Sequence, residues 1–102
     1  MQLPEDPLLR ELLPEFLQHC HNSIGHILDA AQAHNEQELY RSGHTLKGTA
    51  LQFGLTELAE LGIQLMDCAR HHRWEDVPAL CQTLQQMLHS LQTQLNNAAP
   101  SL

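Results

Sequence analysis

His44, Lys47 and Gly48 are the residues of this chain whose types and spacing could do chemistry. On a helix of 3.6 residues per turn, Leu39, Leu46, Ala50 and Phe53 share one face. His44 falls on the opposite face, flanked by Tyr40, Lys47, Gly48 and Leu51. A helical side chain leans back over the preceding turn, so a side chain at position 48 would cover the imidazole at 44, and glycine supplies none. Glycine inside a helix costs about 1 kcal/mol relative to alanine, and access to the ring is a reason to bear that cost. Lys47 can bring an ammonium, a point charge suited to phosphate oxygens, beside any group carried on the ring. An outward imidazole, uncovered and next to a cation, reads as a phosphorylatable histidine.

The run His44-x-Leu46-Lys47-Gly48-Thr49-Ala50-x-x-Phe53-Gly54 resembles the signature of histidine phosphotransfer (HPt) domains, helical modules that relay phosphoryl groups between receiver aspartates. The resemblance implies a helical bundle that acts as a phosphoryl carrier and not as an enzyme. It would accept the group from the receiver domain of a hybrid sensor kinase and pass it to a response regulator in a phosphorelay. It also implies that Nε2 of His44 takes the phosphoryl group while Lys47 offsets its charge. No cofactor of its own is expected, because the receiver supplies Mg2+. Departures from the pattern are Gly43 where alanine often precedes the histidine, Thr49 for serine or alanine, and Asn35 for a capping aspartate; none touches the chemistry. Phe53-Gly54 is also similar to the phosphotransfer domains of chemotaxis kinases, which would put the module inside a larger kinase with a different donor.

Docking a receiver needs an apolar surface beside His44. Leu51 lies near the same side, and Leu8, Leu9 and Leu12 could extend it or could simply cover one end of the bundle. Tyr40, one turn before His44, borders that patch or shields its own helix.

The elements that must position these residues follow from periodicity. Asp6-Pro7 is an N-cap followed by a proline suited to the first helical position, opening a short helix through Leu12. Leu13 precedes Pro14, which predicts a turn there and a new helix from about Pro14 to Ala33 with a stripe of Phe16, Leu17, Cys20, Ile24, Ile27, Leu28 and Ala31. Gly25 inside that helix reads as a close approach of a neighbour. Asn35 with Glu38 has the form of a capping box for the His44 helix, which ends at Gly54 after about 17 residues, or roughly 25 Å. Thr56 is expected to cap the next helix, with Glu57 and Glu60 in its first turn and Leu58, Leu61, Leu65 and Ala69 as its stripe; Gly62 would let it approach the His44 helix. His71-His72-Arg73 marks a turn. The last helix starts near Trp74 or Glu75, tolerates Pro78 in its first turn, and carries Val77, Leu80, Leu84, Met87, Leu88, Leu91 and Leu95. The expected fold is all-α: an antiparallel up-down-up-down four-helix bundle with a short extra N-terminal helix, one domain over 1–102 with 1–6 and 97–102 frayed.

Length and charge exclude other classes. A chain of 102 residues has no room for a nucleotide-binding catalytic domain beside one core, and no Walker-type or kinase glycine loop occurs in it. The formal charge of −7, from 12 acidic and 5 basic residues, repels nucleic acid and anionic lipid. No apolar run approaches the roughly 20 residues needed to cross a bilayer, and the start lacks the form of a signal peptide, so a cytoplasmic monomer is expected. Cys20, Cys68 and Cys81 sit on or beside apolar stripes as small buried hydrophobes.

Two rival functions remain. Eight histidines, with His19-Cys20-His21 and His71-His72 as clusters, raise metal binding. Adjacent helical residues point about 100° apart and no His-x-x-x-His pair exists, so neither cluster chelates alone. A helical scaffold or adaptor would satisfy every stripe, yet it leaves His44, Lys47 and Gly48 without a common cause.

Overall fold

The chain, seen in a computed structural model that describes residues 1–98, is built of four α-helices: α1 (Pro7–Gln32), α2 (Glu36–Gln52), α3 (Thr56–Arg70) and α4 (Val77–Ala98). A 3₁₀ turn, Trp74–Asp76, leads into α4. No strand occurs among the described residues. The expected apolar stripes supply the core, with Ile24, Leu28, Leu80, Met87 and Leu95 half-buried against it. Phe16, Leu17, Cys20 and Ile27 of α1, Leu39, Leu46 and Ala50 of α2, Leu58, Leu61 and Leu65 of α3, and Val77, Leu84, Leu88 and Leu91 of α4 are all buried.

The separate short N-terminal helix does not exist. Asp6 Oδ1 accepts from the Leu8 N–H as expected, but α1 then runs unbroken for 26 residues with Pro14 inside it. An interior proline removes the hydrogen bond to residue 10 and costs about 3 kcal/mol. Against that, Leu13 is wholly buried and Phe16 and Leu17 nearly so. At about 1.5–3 kcal/mol per buried side chain, continuing the helix wins. Pro14 itself is exposed.

α2 and α3 meet backbone to backbone at two glycines. A Cβ added at Gly43 would lie 2.7 Å from the carbonyl oxygen of Gly62 and 2.9 Å from the Met66 nitrogen. One added at Gly62 would lie 2.7 Å from both the Gly43 oxygen and the Lys47 nitrogen. The expected role of Gly62 holds, and Gly43, read from sequence as an inconsequential departure, is its partner. Around this crossing His72 Nε2 meets Glu36 Oε1 at 2.6 Å, and Arg70 Nη2 donates to Tyr40 Oη at 3.0 Å. On the α1 side, His26 meets Glu38 at 3.0 Å, and the Phe16 and Phe53 rings stack with centroids 4.8 Å apart. Gly25, by contrast, is exposed with no atom within 4 Å of an added Cβ, so the close approach expected there is absent.

Three helices end in the same way. At the end of α2, Gly54 has φ +70°, its N–H donates to Leu51 and the Leu55 N–H donates to Ala50. These are the two bonds of a Schellman cap, as expected for that glycine. His34 after α1 and His72 after α3 repeat it with φ 53°, although neither is glycine. Both rings stack with the Trp74 indole, with centroids 5.0 and 5.2 Å from it, which offsets the cost of the left-handed backbone.

Two start signals turn out differently from the sequence reading. Asn35 Oδ1 accepts from the Glu38 N–H, but the Asn35 N–H is taken by Ala30, so the Glu38 carboxylate turns to His26 and Arg41 and the capping box is half made. Thr56 is the first residue of α3; the cap position is the fully buried Leu55, with no side-chain bond. Residues 1–6 are held on the bundle, not frayed: Pro4 is buried and accepts from Arg10 Nε at 2.9 Å, and Gln94 Nε2 donates to the Met1 carbonyl at 3.1 Å. Residues 97 and 98, expected to fray, continue α4, and residues 99–102 lie outside the described region.

All three cysteines are buried and unbridged. Burial pushes the Cys20 thiol up to about 12 and the Cys81 thiol to about 11. Cys68 is also raised, chiefly by burial, with Arg73 opposing.

The glycines make a direct stability test. Gly43→Ala should lower unfolding stability by about 1–3 kcal/mol, the usual range for overpacking, because backbone atoms must move. Gly25→Ala should raise it by up to about 1 kcal/mol, since only helix propensity changes. Urea unfolding of the two variants beside the parent measures both signs.

Candidate functional site

His44 sits on the ninth position of α2 and is exposed, on the face away from Leu39, Leu46 and Ala50. Its height along the bundle is set by the crossing: Gly43 is locked against α3 on one side, and Lys47, three residues on, has its backbone nitrogen against Gly62. The histidine therefore stands on a stretch of helix that cannot slide or rock independently of α3.

Three neighbours of the ring are in place. The Tyr40 ring lies nearly parallel to the imidazole, 8° between planes, with centroids 6.4 Å apart. Lys47 is half-buried, and among the described residues no carboxylate comes within ion-pair distance of its ammonium. In a chain of net charge −7 an uncommitted lysine is notable, because carboxylates outnumber cations by 12 to 5. Gly48 is exposed, and an added Cβ would meet no atom within 4 Å. A packing reason for that glycine is thereby removed, in contrast to Gly43 and Gly62.

The apolar residues expected around the site divide. Leu51 is 51 % exposed, while on α1 Leu8 is 62 % and Leu12 46 % exposed. Leu9 instead packs against the core, so the end-covering reading holds for it. The stack of Phe16 on Phe53 puts Leu8 and Leu12 beyond the C-terminal end of α2. At 1.5 Å per residue Leu51 lies about 10 Å along the helix from His44, on the way to them. Ile63, next to Gly62 on α3, is a further exposed apolar residue that periodicity did not single out. Arg70 was missed as well: it lies 26 positions from His44 in sequence, and only the pairing of α2 with α3 brings it onto Tyr40. A signal existed in its place at the end of α3, where a cation suits the negative pole of the helix.

The clusters that raised metal binding are dispersed. His19 lines the groove between α1 and α2, whereas His21 lines the groove between α1 and α4, with buried Cys20 between them. His72 is engaged by Glu36 and Trp74. Among the described residues no three His, Cys, Asp or Glu side chains converge to hold an ion.

A helical bundle that presents an exposed histidine beside an uncommitted lysine has the form of a phosphoryl-carrying helical module. The sequence profile of the Hpt domain matches residues 11–94, most of the chain, and the protein belongs to that family. No curated protein and no solved structure gave a significant match. Hpt domains carry phosphoryl groups in phosphorelays and interact with receiver domains; they are not kinases. No helix among the described residues is long and apolar enough to cross a membrane.

Gly48→Ala should unfold at the same or a higher urea concentration than the parent, a gain of up to about 1 kcal/mol, because there is nothing to clash with and the helix gains propensity. Early unfolding of this variant would return Gly48 to a packing role.

Proposed function

We propose that His44 is the phosphorylated residue of a carrier module that takes its phosphoryl group from the aspartate of one receiver domain and gives it to the aspartate of another. The observation that carries this is the open space over position 48 beside an exposed imidazole. Nε2 of the neutral ring attacks the phosphorus of the aspartyl phosphate; the P–N bond forms as the P–O bond to the aspartate breaks, and the aspartate leaves as carboxylate. The second transfer is the same step in reverse. In-line approach needs the ring uncovered, which is the role of Gly48, and Lys47 neutralises charge that the phosphoryl group brings. The receiver holds Mg2+ and supplies most of the charge stabilisation, so the carrier itself needs no cofactor.

Receivers of hybrid sensor kinases and of response regulators are the partners in this reading. They dock on the surface that runs from Tyr40 past His44 to Leu51 and on to Leu8 and Leu12, with Leu9 supporting it from below. The contacts of His26 with Glu38 and Phe16 with Phe53, and of His72 with Glu36 and Arg70 with Tyr40, support an antiparallel up-down-up-down bundle. In this reading the carrier acts as a monomer in the cytoplasm. The scaffold reading accounts for the core equally well, but not for an exposed histidine, a lysine without a carboxylate and a glycine without a neighbour in one helical turn.

Incubation with a phosphorylated receiver should label the parent protein with one acid-labile, alkali-stable phosphoryl group. His44→Gln should abolish labelling. Lys47→Ala should keep the fold, within about 0.5 kcal/mol, yet slow transfer or shorten the life of the phosphohistidine. Gly48→Gln should keep stability and accept poorly, because the new side chain leans over the imidazole. Full labelling of His44→Gln would exclude the proposal in favour of the scaffold.

A further inference from the structure

Arg70 ends where an acidic protein would not be expected to send a guanidinium. Among the described residues it makes no ion pair, although it is one of only 5 cations in the chain. Its Nη2 donates to the Tyr40 hydroxyl at 3.0 Å, and its central carbon lies over the same ring at 5.2 Å from the centroid. Tyr40 is thus gripped at its tip and on its face from a second helix. The ring so held is the one parallel to His44, 8° between planes and 6.4 Å between centroids.

From these contacts we propose that Arg70 is a positioning residue: by holding Tyr40 across the α2–α3 seam it fixes the orientation of the His44 ring and so speeds phosphoryl transfer. The inference rests on the phosphotransfer reading of His44. An exposed histidine on a helix has two populated χ1 wells and a broad, roughly two-fold χ2, so about one arrangement in four presents Nε2 usefully. A flat neighbour one turn back restricts both torsions, but only if that neighbour is itself held. A lone tyrosine at that position would swing away, and its phenol would lose nothing by facing water. The guanidinium supplies the hold, and α3 supplies a base for it that the Gly43 and Gly62 contact keeps fixed relative to His44. Bond making and breaking are unaffected; what changes is the fraction of molecules with the ring ready.

Four variants test this: Arg70→Ala, Tyr40→Phe, the double variant and the parent, each checked for unchanged melting temperature. Transfer of label from a phosphorylated receiver is timed, and the imidazole proton and carbon NMR signals of His44 are recorded on the unphosphorylated proteins at one pH. Tyr40→Phe keeps the guanidinium and its charge and removes only the hydroxyl it holds. Expected are a three- to fivefold slowing in each single variant, no further slowing in the double, and displaced His44 ring signals in both singles. Parent-like transfer by Tyr40→Phe beside slow Arg70→Ala would overturn the proposal in favour of a direct charge effect. Multiplying effects in the double variant, or His44 signals unmoved in Arg70→Ala, would overturn it too. If the parent is not labelled at His44, the phosphotransfer reading fails, while the ring signals still decide whether Arg70 orients the histidine.

Discussion

The backbone contact between Gly43 and Gly62 is the constraint on which the rest of the site depends. With both Cβ positions blocked at 2.7 Å by carbonyl oxygen or amide nitrogen, only glycine at each lets the two helices come this near. The near approach sets the height of α2 on α3, and that height determines which residues of α3 lie beside the exposed face of α2. Arg70 reaches Tyr40 and His72 reaches Glu36 only in this register. Position 43 is also next to His44 in sequence, so a closely packed stretch of backbone adjoins an exposed side chain.

That pairing of tight and open follows from what phosphoryl transfer asks of a carrier. The chemistry is an in-line displacement in which most charge stabilisation comes from the receiver, so the carrier contributes a nucleophile in a fixed place and little else. Rigidity must come from below the histidine and freedom from above it. Three glycines divide the work: Gly43 and Gly62 remove side chains so that helices touch, and in the proposed function Gly48 removes one so that a partner can. The same residue type solves opposite problems, and only the surroundings distinguish them.

The helices and the outward placement of His44 were legible in the sequence because they rest on local rules. The stripe Leu39, Leu46, Ala50 and Phe53 specifies which side of α2 is buried and hence that His44 faces out, and all four are buried. Gly54 announces the end of α2 by the left-handed cap that it adopts. The errors came where a local rule met tertiary burial. Pro14 and the residue before it read as a break, but Leu13, Phe16 and Leu17 gain more from the core than the helix loses. Thr56 read as a cap, yet Leu55 takes the cap position because the chain must enter the core there. Gly25 read as a contact because propensity alone cannot tell a glycine that touches a helix from one that faces water. Gly43 was invisible for the converse reason: its partner is 19 positions away, and nothing near it in sequence marks the crossing. Arg70 belongs to the same class, a long-range pair whose two members look ordinary alone.

Location of the phosphoryl group on the intact protein addresses the central claim most directly. After reaction with a phosphorylated receiver, the protein can be digested under mildly alkaline conditions and its eight histidines sorted by mass spectrometry, with phosphorus–proton NMR correlation identifying the nitrogen. One phosphoryl group on Nε2 of His44 is the expected result. A phosphoryl group on any other histidine, such as His19 or His72, or none on any of the eight, would contradict it.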